Sequence, residues 1–437
     1  MNRLQKPAAA LILLLAAAFV SRAQTEPPQN GVWTLDMCLD YALENNIQLR
    51  EQKNTYESSL QDSYASKFAS FPSVSAGVSQ GITKYASGDA SGVYTGSYNL
   101  SADMTLYNGG KLRNSYRQAL TENTIDSLYV AESANDIRIS IIEAYMQCLY
   151  ARESITVNES NLESSKAQME RGEQLWKVGT LSKVDYAQLQ SQYQSDEYQL
   201  VSAKNSYASG KLTLKQLLEL DIMDEIEISD IDADDSAILE LIPDKEEDYA
   251  NAKAYLPEIL RSQAQIKSAE YGIDIAKAGY LPSLSLSAGA GTANNSNSTA
   301  AFGSQIADSF NVNAGLTLRI PIFSQMQNKT SVRKAQIQYD NSRLQAASVE
   351  KDVLKKVETA YLNVISAQSQ YVSAKQQLDY ARKSYELVSE QFTVGSKNTV
   401  ELITAQNEYI SARQSVVLAK YTTLMNKDIL DVYQGKY

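Results

Sequence analysis

Histidine is absent from all 437 residues, which removes the commonest general base and the commonest transition-metal ligand together. No nucleophile motif or phosphate-cradling glycine loop stands in its place, so the chain is read as a non-enzyme that needs no cofactor. Cysteine occurs only at Cys38 and Cys148, too far apart in sequence to argue for a disulfide. Cationic residues are in the minority, 40 Lys and Arg against 51 Asp and Glu for a net charge of −11. That is the wrong sign for a nucleic-acid partner. Long apolar runs are also missing beyond the first residues, so no helical membrane span is expected there.

The one apolar run, Ala8 to Val20, follows Arg3 and Lys6 and precedes Ser21-Arg22-Ala23. A charged start, an apolar middle and a small-x-small end describe a cleaved secretory signal peptide over residues 1–23. The run falls short of the roughly 20 residues a spanning anchor needs. No cysteine follows the cleavage point, so a lipid anchor is not indicated.

What is present is present twice. "QLWKVGTLSKVDYAQLQSQY" at 174–193 matches "EQFTVGSKNTVELITAQNEY" at 390–409 in register, with Val178-Gly179 over Val394-Gly395 and Asp185 over Glu401. "SFPSVSAG" at 70–77 is echoed by "YLPSLSLSAG" at 280–289, which sets Pro72 over Pro282. A period near 200 residues is too long for a solenoid array, so a duplicated structural unit is expected. The reading places a first unit at 24–220, with helices 34–69, 109–177 and 181–220 and strands 72–83 and 95–107. A second unit at 249–437 has helices 249–279, 325–394 and 398–433 and strands 282–292 and 308–321.

Residues 111–171 contain neither proline nor glycine, so one unbroken helix on the order of 100 Å is expected there. From Val357 the series Ala360, Val364, Ala367, Tyr371, Ala374, Leu378, Ala381, Tyr385, Val388, Phe392 alternates steps of three and four. That is the repeat of a left-handed coiled coil. After the glycine turn, Leu402, Ala405, Tyr409, Ala412, Val416 and Ala419 keep the same beat, which predicts an antiparallel helical hairpin in each unit. Helices 34–69 and 181–220 are each about half that length and are expected to stack end to end beside the long one. The acidic stretch 221–248 is expected as a solvated linker near the middle of the rod. Its Asp230, Asp232 and Asp234 imitate an EF-hand opening, but Asp235 stands where glycine is required and Leu241 where the bidentate Glu belongs, so calcium is not expected.

All four predicted strands alternate. Leu284, Leu286, Ala288 and Ala290 interleave with Ser283, Ser285, Ser287 and Gly289, and Tyr98, Leu100, Ala102, Met104 and Leu106 interleave with Asn99, Ser101, Asp103 and Thr105. Lengths near ten residues suit tilted membrane strands. Phe71, Tyr107, Tyr280 and Phe323 stand at one end, as an aromatic girdle does. Four strands cannot close a barrel when the smallest has eight, so the chain must oligomerise in lipid.

"WTLDMCLDYALENNIQLR" at 33–50, "AGYLPSLSLSAGAG" at 278–291, "LYNGGKLRNS" at 106–115 and the two VG(T/S) turns, taken in this order, resemble the TolC-like outer-membrane efflux proteins. The resemblance implies an α+β membrane protein: a homotrimer whose transmembrane β-barrel has twelve strands, four per protomer. That barrel continues into a long periplasmic α-helical barrel of coiled-coil hairpins. It further implies an exit duct in the outer membrane of a Gram-negative-type bacterium, serving tripartite efflux or type I secretion. Its partners would be outer-membrane lipid, a periplasmic adaptor and an inner-membrane pump of RND or ABC type. Val178, Gly179, Thr180, Val394, Gly395 and Ser396 correspond to adaptor-contacting tips, and Asp185 and Glu401 lie where the family narrows its entrance. Pro72 and Pro282 mark strand entry, and Gly109-Gly110 the strand-to-helix turn. Ser324-Gln325-Met326 departs from the glycine pair often found at the second such turn. A secreted coiled-coil scaffold or adhesin without a pore is the rival reading.

Overall fold

The computed structural model describes residues 31–84, 92–231, 234–241 and 245–436. The leader and Asp232 lie outside these residues. The chain begins with a short strand β1 (Val32–Trp33), then helices α1 (Leu35–Asn45) and α2 (Ile47–Phe68). Strands β2 (Ser73–Thr83) and β3 (Val93–Asn108) lead into helix α3 (Lys111–Lys177) and its antiparallel partner α4 (Lys183–Leu217). Strand β4 (Glu227–Ile228) and helices α5 (Asp235–Ile238), α6 (Lys245–Tyr255) and α7 (Pro257–Lys277) follow. The remainder is β5 (Ser283–Asn295), α8 (Phe302–Asp308), β6 (Asn311–Arg319), α9 (Gln327–Thr393) and α10 (Thr399–Tyr433). Helices α3 and α9 are each 67 residues long, and α4 and α10 are each 35. At 1.5 Å per residue the longer pair spans about 100 Å.

The three-and-four beat is visible in burial. Val357, Ala360, Val364, Ala367, Tyr371 and Ala374 form the buried stripe of α9, and Leu402, Ala405, Ala412 and Ala419 that of α10. Small residues let the helix axes approach. Gly172 of α3 sits against Leu189 of α4, and a Cβ on Gly210 would come within 3.0 Å of the Cys148 sulfur. The largest apolar cluster gathers α1, α3, α4 and the end of α10 around Tyr145, Met146 and Leu149. Cys38 and Cys148 are buried there as free thiols, and burial pushes both up to about 12.

Two predicted helices are broken. Residues 34–69 divide at Asn46, whose backbone leaves the helix at ψ 127°. Its side chain accepts from Leu49 N at 3.2 Å and donates to the Leu217 carbonyl at 3.2 Å, while Glu219 accepts from Ile47 N at 3.2 Å. Only α2 therefore stacks on the end of α4, and α1 lies against α3 instead. The second break falls at Leu256, because Pro257 lacks an N–H and forces its predecessor into extended geometry.

The acidic stretch 221–248 is docked rather than solvated. Ile226, Ile228 and Ile238 are buried, and β4 pairs parallel with β1. Tyr145 anchors that pairing, its hydroxyl 3.1 Å from the Trp33 carbonyl and 2.8 Å from that of Ser229. The acids face outward onto bases: Asp230 onto Arg152, Asp235 onto Lys375, Glu240 onto Lys427. Isoleucines between the acids supply the apolar contact that a count of charges hides.

One four-stranded antiparallel sheet, in the order β2-β3-β5-β6, completes the fold. Strand β6 is shorter than residues 308–321, because α8 occupies 302–308 and Pro321 cannot extend the ladder. The register aligns Val74, Ala102, Ala288 and Ala314 in one row and Ala76, Leu100, Ala290 and Val312 in the next. Over these rows one face is accordingly apolar across all four strands, and the other carries Ser73, Asp103, Ser287 and Gly315. A bulge between Thr105 and Tyr107 brings Tyr107 opposite Leu284.

Candidate functional site

The sheet's apolar face is open. Val74 is 67% exposed and Val312 72% exposed, together with Val78, Ile82, Leu316, Leu318 and Ile320. A continuous apolar patch of this kind marks an interaction or membrane surface. Among the described residues β2 and β6 each lack a partner on one side, which leaves two rows of free backbone groups that hydrocarbon does not tolerate. Phe71, Tyr107, Tyr280 and Phe323 are all exposed at the helical end of the sheet.

The other end holds a group that the sequence reading overlooked. Gln80 takes an apolar-face position and is held by two tyrosines, donating to Tyr98 Oη at 2.9 Å and accepting from Tyr94 Oη. The signal was available, since one glutamine interrupts the apolar series Val74, Ala76, Val78, Ile82.

Pro72 and Pro282 each stand one residue before a strand. Their approach turns are alike: Phe71 N donates to the Phe68 carbonyl at 2.9 Å, and Leu281 N to that of Ala278 at 3.0 Å. Gly109 and Gly110 turn from β3 into α3 with φ of 67° and 83°. Gln325 and Met326 make the same left-handed turn into α9 with φ of 50° and 65°, so the missing glycine pair leaves the backbone path intact.

At the far end of the long helices the two hairpin tips share one construction. Gly179 has φ 80° and Gly395 φ 77°. In the first tip, Gly179 N bonds the Trp176 carbonyl at 3.0 Å and Thr180 N that of Leu175 at 2.9 Å; in the second, Gly395 N bonds Phe392 at 3.0 Å and Ser396 N bonds Gln391 at 2.8 Å. Both are Schellman caps, which call for the left-handed conformation that glycine adopts freely. Val178 and Val394 project from them, 73% and 78% exposed. Asp185 and Glu401 sit at the third position of the next helix. Asp185 is bonded by Ser182 Oγ at 2.6 Å, and Glu401 completes a capping box with Asn398 while pairing with Lys397 at 2.5 Å. The Lys397 ammonium, and then the Asn398 N–H, hold the Glu401 carboxyl below its ordinary range. Each carboxylate is thus fixed in place by its own helix start.

The two hairpins touch above the tips. Gln168 donates to Tyr385 Oη at 2.9 Å, and Gln192 to Asn407 Oδ1 at 3.1 Å. Buried Gln406 donates to Asn161 Oδ1 at 2.9 Å, and Asp196 is buried beside them, its carboxyl pushed up by burial. This buried polar layer was not read from the sequence, although Gln406 lies against the apolar stripe beside Ala405.

No helix among the described residues is long and apolar enough to cross a membrane. The model of the outer membrane efflux protein family matches residues 38–219 and 249–435. The chain belongs to that family. Among its relatives, outer membrane efflux protein BepC of Brucella suis biovar 1 (strain 1330) is 20% identical over 326 residues, 75% of this chain and 69% of BepC. Outer membrane protein TolC of Vibrio cholerae serotype O1 is 23% identical over 326 residues, 71% of this chain and 73% of TolC. The fold is similar to that of the Campylobacter jejuni CmeC outer membrane channel, with a TM-score of 0.80 at 18% identity over 92% of this chain and 85% of that one. As an outer membrane efflux protein the chain is a transport channel of the outer membrane with a periplasmic tunnel. Members of the family are channels rather than enzymes.

Proposed function

We propose that this protein is the passive exit duct of a tripartite efflux or type I secretion system. Three copies close one barrel of twelve strands, each copy being a duplicated unit spanning 24–220 and 249–437 joined through 221–248. The observation that carries the reading is the sheet: four strands, one predominantly apolar face and two open edges, continuous with helices of 67 residues. Pairing β2 of one copy with β6 of the next removes every open edge. The polar face then lines the lumen. Val178, Gly179, Thr180, Val394, Gly395 and Ser396 form the adaptor-contacting rim, supported by the exposure of both valines. Asp185 and Glu401 line the entrance, where a symmetric ring of carboxylates favours cations. The inner-membrane pump, of RND or ABC type, supplies the energy and selects the cargo.

Reconstitution tests this directly. The purified protein is expected to migrate as a trimer in detergent, to require detergent for release from membranes, and to conduct ions across planar bilayers. A water-soluble monomer that leaves liposomes sealed, released by carbonate alone, would instead establish the scaffold reading.

A further inference from the structure

Of the chain's acid-free basic stretches, two lie where a strand gives way to a long helix. Residues 104–121 hold Lys111, Arg113 and Arg117 with no Asp or Glu, and residues 309–339 hold Arg319, Lys329, Arg333 and Lys334 with none. Both stretches straddle the passage from strand to helix.

The register places one of these cations, and a shared cavity places a second beside it. Asn108 pairs with Ser283 and Ser283 with Arg319, one row across the polar face. Arg319 is therefore on the side opposite Leu316 and Leu318. Lys111 begins α3 three positions after Asn108, and Lys111, Arg319, Asn108, Ser283, Asn328 and Ser331 line one cavity of 440 Å³. Neither cation has an ion-pair partner among the described residues. Asp274, close in sequence to the lining residues Ile275 and Ala276, is taken by Lys277 at 3.4 Å. The cavity thus joins two uncompensated positive charges to neutral hydrogen-bonding side chains.

We infer that Lys111 and Arg319 form an anion-attracting collar where the barrel meets the helical tunnel, selecting for carboxylate- or phosphate-bearing solutes at that level. This rests on the polar face lining the lumen of a closed trimer. Symmetry then repeats both cations in three copies around the lumen, and low-dielectric walls focus their field onto the path. Rings of Arg and Lys favour anions as rings of Asp and Glu favour cations. The duct consequently carries opposite charge at its two ends, carboxylates at the tips and a basic collar at the neck.

The test is the reversal potential of single channels in a tenfold KCl gradient. Lys111→Gln with Arg319→Gln is expected to lower the chloride-to-potassium permeability ratio by at least about twofold, more at low salt where screening is weak. The charge-conserving pair Lys111→Arg with Arg319→Lys is expected to keep the wild-type ratio, and the single Arg319→Gln to fall between. An unchanged ratio in channels of normal conductance would overturn the collar. So would a variant whose ratio is unchanged while its affinity for vesicles of anionic phospholipid drops, because the cations would then serve headgroups. If the wild type itself forms no channel, the duct reading fails, and the collar with it for a different reason.

Discussion

The two halves of the chain make the same turn with different chemistry. Gly109-Gly110 and Gln325-Met326 both pass through the left-handed region on leaving a strand for a 67-residue helix. Geometry is thus imposed by the docking of sheet on helix, and side chains accommodate it where they must. The halves differ in what surrounds the turn. A Cβ on Gly109 would meet Leu281 Cβ at 2.8 Å and the Ala278 carbonyl at 3.0 Å, whereas a Cβ on Gly110 would meet nothing within 4 Å. Glycine at 109 answers both a torsion and a contact. The largest effect is therefore expected from Gly109→Ala, which combines a left-handed alanine with overpacking and is predicted to cost about 2 to 5 kcal/mol. Loss of folded protein from the outer membrane measures it. Gly110→Ala meets only the torsional cost and is expected to be the milder of the two; equal severity would show that crowding at Leu281 contributes nothing.

The end-to-end helix joints sharpen the contrast. In the first half α2 and α4 cap one another through Asn46 and Glu219. In the second, Leu256 and Pro257 stand at the entry of α7 and Gly435 beyond the end of α10, with φ 74° where Glu219 has 57°. Pro257 removes one of the N–H groups that a helix start leaves open, and the Leu256 side chain makes no cap hydrogen bond. Asn46→Ala is predicted to lower stability by about 1 to 2 kcal/mol, read as a lower melting temperature in detergent. Leu256→Ala removes packing and no cap; since Leu256 is 1% exposed, it is expected to cost about 2 to 5 kcal/mol, and a loss no larger than that of Asn46→Ala would break the comparison.

The second joint also encloses a charge. Glu258 is 7% exposed and its Oε2 has no hydrogen-bond partner, while Lys356 stays 3.8 Å from Oε1. Burial pushes this carboxyl up, and Glu132 and Asp136 add to the effect. A carboxyl whose folded pKa is raised binds more protons in the native state, so its contribution to stability falls as pH rises past the unfolded value. Glu258→Gln is expected to stabilise the protein by about 1 kcal/mol near neutral pH, with the gain shrinking as pH falls toward 4. Melting curves across that range check it, and a gain independent of pH would assign the effect to shape instead of charge.

These contrasts explain what could be read from the residues alone. The helical hairpins were legible because a stripe such as Val357, Ala360, Val364, Ala367 is periodic, and the sheet because its alternation persists through four segments. Glycine turns at 179 and 395 announced the tips. The break at Asn46 was not legible, since its cause is the carbonyl of Leu217, far along the chain. Nor was the docking of 221–248, where three isoleucines among many acids act through contacts with Trp33 and Tyr145. Asp185 and Glu401 were found as acids, but their fixation by Ser182, Asn398 and Lys397 depends on helix starts that only the folded chain defines.

The smallest effect belongs to the turn that lacks glycine. A left-handed L-residue costs roughly 1 to 2 kcal/mol relative to the right-handed region, and replacing it by glycine gives back about 0.4 to 1 kcal/mol through the freer unfolded chain. Gln325→Gly is therefore expected to raise stability by about 0 to 1.6 kcal/mol, near 0.8 at the middle of both ranges. Met326→Gly gains the same torsional relief but gives up a side chain that is 60% exposed beside Phe323 and Ile322. Where that side chain lies in the apolar belt, covered by lipid or by detergent, its loss offsets the relief, and the two substitutions separate: Gln325→Gly stabilises and Met326→Gly does not. Equal shifts for the two substitutions would show that the Met326 side chain makes no apolar contact and that the two halves differ at this turn in torsion alone.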